Sequence, residues 1–301
     1  MTGTIRIIRA APLTTVQDVG RFGALRHGIG ASGPMDAWGF AAAGEGLGTP
    51  GAAIEFTHAG IAFEVAGGPM TASFGGGDFR LSVDGGPAKW GSAIDLSDGD
   101  RVNVVPGQAG NYGYVRFSGE LAIPTLLGSR ATNLVVGLGG FEGRALRAGD
   151  VLEVVETHDP SPGAIAVAET EDHGPIRMIW GLHADLFAAD IRQRFVAGTF
   201  RISQKMNRMG VRLDDTYGVF ASARILSLVS DAVVPGDIQI LGDGTPIVLM
   251  RDHQPTGGYP RIATVISADI DRVAQMRAGS EVTFQPVTVD HAHALLKRMR
   301  R

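Results

Sequence analysis

The chain has 301 residues, a formal net charge of −4, 44% hydrophobic residues and 19% charged residues. That balance excludes a disordered chain. Acids and bases are mixed along it, and no basic stripe or aromatic–basic interleaving points to nucleic acid. No cysteine is present, which removes disulfides, thiolate metal sites and a cysteine nucleophile together.

No apolar run approaches the ~18 residues that span a bilayer, and the first residues lack an apolar stretch of signal-peptide length. A soluble, cytoplasmic protein without a membrane partner is the expectation. The 43 glycines argue against long helices, because each glycine inside a helix costs about 1 kcal/mol against alanine. Many turns and short strands fit better.

In chain order, Thr4–Ile8 alternates apolar and polar residues and predicts a strand. Thr14–Gly20 is a second short element, and Arg21 and Arg26 follow in a glycine-rich loop. Ser32 is placed to cap a helix over Met35–Leu47, which Gly39, Gly44 and Gly46 would weaken. From Ala53 to Glu120 nearly every segment is strand-like and bounded by Gly, Asp-Gly or Pro-Gly turns, the spacing of an antiparallel sandwich or barrel.

A weak repeat places Gly99, Gly149 and Gly279 before apolar-alternating strands, which suggests recurring β units rather than a solenoid. Residues 158–175 are acidic, proline-containing and aperiodic, and predict a linker between a first unit over 1–157 and a second over 176–301. Beyond it come a strand at Ile176–Trp180, a helix over Leu182–Val196, strands at Phe200–Ser203 and Val211–Leu213, and a short basic helix from Asp290 to Arg301.

The stretch from Asp231 to Val265 is the most suggestive. Ile238–Leu241 and Pro246–Met250 predict two strands joined by a tight turn at Gly242–Thr245. Four polar residues, Arg251, Asp252, His253 and Gln254, then follow a strand that reads as buried, with Tyr259 among Pro255, Gly257, Gly258 and Pro260. Such a cluster either presents side chains to a ligand or is a hydrogen-bonded loop packed under its own tyrosine.

Gly137–Gly143 resembles a dinucleotide loop but carries Glu142 at the third glycine position and opens no helix. His291 and His293 point to different helix faces, so no shared metal site is expected, and His27 and His253 are the histidines in polar loops. Asp18, Asp36 and Asp252 sit where aspartate ordinarily caps backbone N–H groups. Arg21, Arg130 and Arg208 offer forks that suit a carboxylate or ureido ligand. Ser203–Gly210 gathers amide and cationic donors before a turn.

Thr14–Arg21, Ser32–Asp36, Leu127–Arg130, Gly139–Arg144, Asn207–Gly210, Val233–Gly236 with Gln239, and Gln254 with Thr256–Pro260 occur in an order that resembles the allophanate hydrolase subunit 2 family. That family is also described as the biotin-dependent carboxyltransferase or Kip-antagonist type, and includes the C subunit of 5-oxoprolinase. The resemblance implies a mainly β fold of two cyclophilin-like β-barrel units with a few short helices. It implies a subunit 1 (Kip-inhibitor-type) partner, and a third lactam-utilisation or biotin carboxylase subunit.

It further implies an ATP-dependent 5-oxoprolinase subunit or the carboxyltransferase half of a urea carboxylase-type system, inactive alone. ATP or carboxybiotin would be supplied by partner subunits, and no metal or cofactor is expected on this chain. A regulatory protein that antagonises a kinase-inhibitor-type partner is the reading from another class.

The residues assigned are Asp252, Asp36 and Arg208 as catalytic, and Arg130, Asn207, Gln239, Gln254 and Tyr259 as substrate-binding. Gly44, Thr49 and Ser118–Glu120 depart from the family pattern. So do His253, where Arg is common, and Pro255, where Thr is common. The last two fall in the proposed site and leave the substrate open at this point.

Overall fold

Glycine-punctuated alternation produces strands throughout the computed structural model, which describes residues 3–47, 51–156, 174–223 and 227–299. The chain divides into two units, one of Met1–Ala24 with Ala31–Val167 and one of Leu25–Gly30 with Ala168–Arg301. Almost all of the expected linker, at 158–173, lies outside the described residues. The fold is mainly β. Among the described residues α-helix is confined to Ala37–Ala42, Ala189–Ala197, Ile270–Gln275 and Val289–Met299.

The first unit holds two sheets. In one, Gly3–Ala10 lies between Val151–Val155 and Ile61–Ala66, and Arg101–Pro106 and Phe79–Val83 extend it. The other runs Thr15–Gln17, Ala53–Thr57, Tyr112–Phe117, Met70–Gly76, Ala93–Leu96. Their inward faces share one core: Ile5, Phe63 and Val104 from the first sheet meet Ile54, Phe74 and Phe117 from the second. Alternation supplies this directly, since successive side chains of a strand point to opposite faces. Arg101–Pro106 shows it, with Val102 and Val104 buried between exposed Arg101 and Asn103.

The second unit is built on one eight-stranded sheet that curls toward closure, with a two-stranded ladder of Asp231–Ala232 and Thr256–Gly257 beside it. The larger sheet runs Glu281–Val282, Phe200–Met206, Gly210–Asp214, Pro246–Leu249, Asp237–Ile240, Arg261–Val265, Ile176–Trp180, Phe284–Pro286. The two outermost strands are separated in sequence by Thr283 alone, so one short run of chain covers both edges. That removes the exposed edges that invite foreign pairing. Phe195, Phe200, Phe220 and Phe284 fill the interior with stacked, tilted and edge-on ring contacts.

The recurring glycines do what the repeat implied. Gly99, Gly149 and Gly279 hold φ of 88°, 94° and 88°, a region open to glycine at little cost, directly before strands beginning at Arg101, Val151 and Glu281.

Helix boundaries differ from the sequence expectation for physical reasons. The first helix covers only Ala37–Ala42 and is capped by Asp36, whose Oδ1 accepts from the Trp38 and Gly39 N–H groups at 3.0 Å each. Ser32 is not the cap; its φ is 56°. The helix expected over Leu182–Val196 splits into a 3-10 turn at Ala184–Leu186 and a helix at Ala189–Ala197. Ile270–Gln275 lies outside the sequence expectation, since it is too short to show a helical period of its own.

A Cβ on Gly39 would lie 2.4 Å from the Gly76 Cα, so the first helix rests on its sheet backbone to backbone. Gly39→Ala should therefore destabilise the chain by about 1–3 kcal/mol of overpacking, which exceeds the ~1 kcal/mol that alanine gains as a helix former. Urea unfolding midpoints of the two chains give the sign.

Candidate functional site

Two turns of the second unit carry four of the eight assigned residues, Asn207, Arg208, Asp252 and Gln254. Asn207 makes the first: its Oδ1 accepts from the Met209 and Gly210 N–H groups at 2.8 and 3.2 Å, an Asx turn joining Phe200–Met206 to Gly210–Asp214. The second follows Pro246–Leu249. The two are stitched through the main chain, Met250 N–H to Met209 C=O at 2.9 Å and Asp252 N–H to Arg208 C=O at 2.8 Å. Arg208 and Asp252 then close the stitch with side chains. Arg208 Nε and Nη2 donate to Asp252 Oδ2 and Oδ1 at 2.9 and 3.1 Å, and the two side chains are 2% and 1% exposed.

This placement changes the roles read from sequence. Both Asp252 oxygens are engaged by the Arg208 fork, and neither residue lines the cleft beside them. Asp252 is not poised to take a proton from a ligand, nor Arg208 to polarise one. They hold together two turns whose other residues line the cleft.

Those turns and strands line a cleft of about 650 Å³. Its floor follows from the strand register. Arg212 pairs with Ile247, and Ile247 with Gln239, so the three side chains stand in a row on one face of the sheet. The alternate residues, Val211, Val248 and Ile238, are buried behind them. Asn207, Gln239, Gln254 and Tyr259 all line this cleft, so four of the five expected substrate-binding residues converge. Lys205 and Arg212 line it as well. Sequence places Lys205 with its turn but selects neither cation, because only the register places Arg212 beside Gln239.

Gln239 is the unusual member. It is 1% exposed, and its Nε2 has no hydrogen-bond partner among the described residues. Its Oε1 accepts a long 3.4 Å bond from Gln254 Nε2. Gly257 makes room for both amides, since a Cβ there would lie 2.6 Å from Gln239 Nε2. Gln254 is held from behind: His253 Nδ1 lies 2.6 Å from the Gln254 carbonyl oxygen. Burial pushes the His253 imidazole below its ordinary range, and since a carbonyl oxygen only accepts, Nδ1 is the donor in this contact.

Asp36 and Arg130 belong to the first unit and do not line this cleft. Asp36 caps its helix, and its N–H donates to the Tyr114 hydroxyl at 2.8 Å. Tyr114 donates in turn to Glu55 at 2.8 Å, and burial first, then the Glu55 and Asp36 charges, raise the Tyr114 phenol well above its ordinary value. Arg130 Nε donates to the Ile123 carbonyl at 2.9 Å, and its N–H to Asp18 Oδ2 at 2.6 Å. Arg21 likewise spends Nε on the Leu126 carbonyl at 2.9 Å.

Gly137–Gly143 is a tight turn with no helix behind it; the next regular element is the strand Val151–Val155. No cluster of potential metal ligands occurs among the described residues.

The buried pair and the buried amide make opposite predictions. Asp252→Ala leaves the Arg208 charge uncompensated and should cost about 3–5 kcal/mol. Gln239→Met removes both the unpartnered donor and the oxygen that accepts from Gln254 Nε2, two changes of opposite sign, and should change stability by less than about 1 kcal/mol. Chemical denaturation of the two variants measures both, and a mild Asp252→Ala would refute the strut role.

The family described as carboxyltransferase domain, subdomain A and B, matches residues 27–286. The C subunit of Escherichia coli 5-oxoprolinase is 32% identical over 96% of this chain and 93% of its own length. The corresponding 5-oxoprolinase C subunit of Haemophilus influenzae is 31% identical over 98% and 94%. The Lachancea kluyveri urea amidolyase is 28% identical over 94% of this chain, which spans 17% of that protein. Among solved structures, the Kluyveromyces lactis urea amidolyase has the same fold, with a TM-score of 0.88 at 24% identity over 98% of this chain and 19% of that one. The match over 27–286 places this chain in the carboxyltransferase subdomain A and B family.

Proposed function

We infer that the chain is the C-type subunit of an ATP-dependent 5-oxoprolinase and that the cleft of its second unit receives the substrate amide. The observation that carries this reading is Gln239. A buried amide N–H without a partner costs about 1–3 kcal/mol, and a ligand oxygen placed against it would recover that cost. Opening a lactam adds water across its C–N bond and draws charge onto the carbonyl oxygen during attack. Fixed N–H donors stabilise such charge more than water does, because they need not reorganise. Gln239 and Gln254 are the donors in this reading, Tyr259, 40% exposed, is the rim, and Asn207 shapes the wall.

The likeness to full-length 5-oxoprolinase C subunits over nearly all of both chains supports an assembly with a subunit 1 (Kip-inhibitor-type) chain and a lactam-utilisation chain. Those partners supply ATP and the remaining catalytic groups, and the complex works in the cytoplasm. No helix of the described residues is long and apolar enough to cross a membrane.

The fold shared with urea amidolyase favours a second reading, in which the same amides hold urea while a carboxyl group moves to it from carboxybiotin on a partner. A purely regulatory role, binding a kinase-inhibitor-type partner without chemistry, is the third.

Reconstitution with the two partner chains separates them. ATP-dependent formation of glutamate from 5-oxoproline is expected, and Gln239→Met should lower kcat/KM by about 10²-fold with an unchanged melting temperature. Carboxylation of urea instead would move the assignment to the second reading. Tight partner binding with neither reaction would move it to the third.

A further inference from the structure

The cleft carries positive charge that its lining does not neutralise. Lys205 and Arg212 line it, and no aspartate or glutamate does. Neither cation has an ion-pair partner among the described residues. Asp243 feels the Arg212 charge, but its carboxylate is engaged by Thr245, whose N–H it accepts at 2.9 Å. Two cations facing one another's field across a hollow gain nothing for the fold. They gain if an anion enters.

The register fixes where that anion would sit. Arg212 and Gln239 rise from the same face with Ile247 between them. Strands lie about 4.8 Å apart, so the two side chains start roughly 10 Å apart, and a flexible arginine can lean across most of that. Lys205 reaches the same hollow from the strand beyond, Phe200–Met206. The buried donor of Gln239 marks one end of the ligand and the two cations mark the other. A single small molecule with a carbonyl oxygen and a carboxylate a few bonds apart satisfies both ends.

We propose that Arg212 and Lys205 determine specificity by reading a carboxylate, so that the cleft takes a small amide or lactam acid in preference to a neutral urea. This rests on the reading above that the cleft is the substrate site. An arginine fork matches a carboxylate through two parallel N–H···O bonds. A neutral urea would leave that fork unused and the half-buried Arg212 charge without a partner.

All lining residues belong to this chain, so the full chain alone suffices for the test. It is titrated with L-5-oxoproline, with 2-pyrrolidinone, which is the same lactam without the carboxylate, and with urea. The readout is the side-chain amide NMR signals of Gln239 and Gln254. Binding of 5-oxoproline should saturate at a concentration at least about tenfold lower than that of 2-pyrrolidinone. Arg212→Gln should erase that advantage while leaving 2-pyrrolidinone binding unchanged, which also shows that the cleft is intact, and Arg212→Lys should restore part of it.

Equal affinity for the two lactams, or an advantage that survives in the Arg212→Gln, Lys205→Gln double variant, overturns the carboxylate assignment and leaves the cleft reading standing. If no probe moves either glutamine signal, the cleft reading itself fails, and this inference with it.

Discussion

The bidentate contact between Arg208 and Asp252 is the constraint on which the second unit's cleft depends. Taking two charges out of water costs several kcal/mol for each, and their attraction repays this only when geometry is good and the remaining donors and acceptors are satisfied. Here both Asp252 oxygens meet the fork at 2.9 and 3.1 Å, and two main-chain bonds flank the pair. The contact adds little net stability beyond what an apolar pair would give. It fixes the relation of two turns, because any slip of one against the other would strand a buried charge. Asn207, the Met209–Gly210 corner and Gln254 are thereby held at set positions around the hollow.

The first unit uses a buried arginine differently. Arg116 stacks its guanidinium 4.6 Å from the Phe40 ring centre and donates from Nη2 to the Gly51 carbonyl. Burial draws its pKa down to about 10, against the pull of Glu120, so it remains charged at neutral pH. Gly44 gives it space, since a Cβ there would lie 2.4 Å from Nη1. One unit solves the buried cation with a carboxylate clamp between turns. The other solves it with a ring face and a backbone oxygen beside its first helix.

Much of the fold is legible in the sequence because alternation and glycine are local signals. The strands from Ile61 to Phe117, the Gly242–Thr245 turn and the three turn glycines before closing strands all follow from residues within one element and its flanks. What escapes is set by distance. Ile270–Gln275 is helical because Ile270, Val273 and Ala274 are buried, a tertiary condition that no local propensity reports. Ser32 and Asp36 both satisfy the chemistry of a helix cap, but Ser32 takes a positive φ of 56° while Asp36 accepts from the Trp38 and Gly39 N–H groups, so the helix begins after Asp36.

The candidate site shows the same division with more consequence. Turn chemistry reveals where polar residues cluster, yet it offers no means to tell a strut from a contact. Arg208 and Asp252 stand among residues that look equally exposed in sequence, and they turn inward because two hairpins dock there. Arg212 has the reverse history. It lies in a strand that the sequence predicts but gives no site role, and two strand pairings bring it to the Gln239 row.

Burial alone does not separate the two classes either, since Gln239 is as buried as Asp252. The distinction is satisfaction. Asp252 has a partner for each oxygen, whereas Gln239 keeps a donor unused at the floor of a hollow. Methionine of similar size would fill the place without leaving a donor unmade, and this contrast is what supports the proposal that the cleft receives an amide.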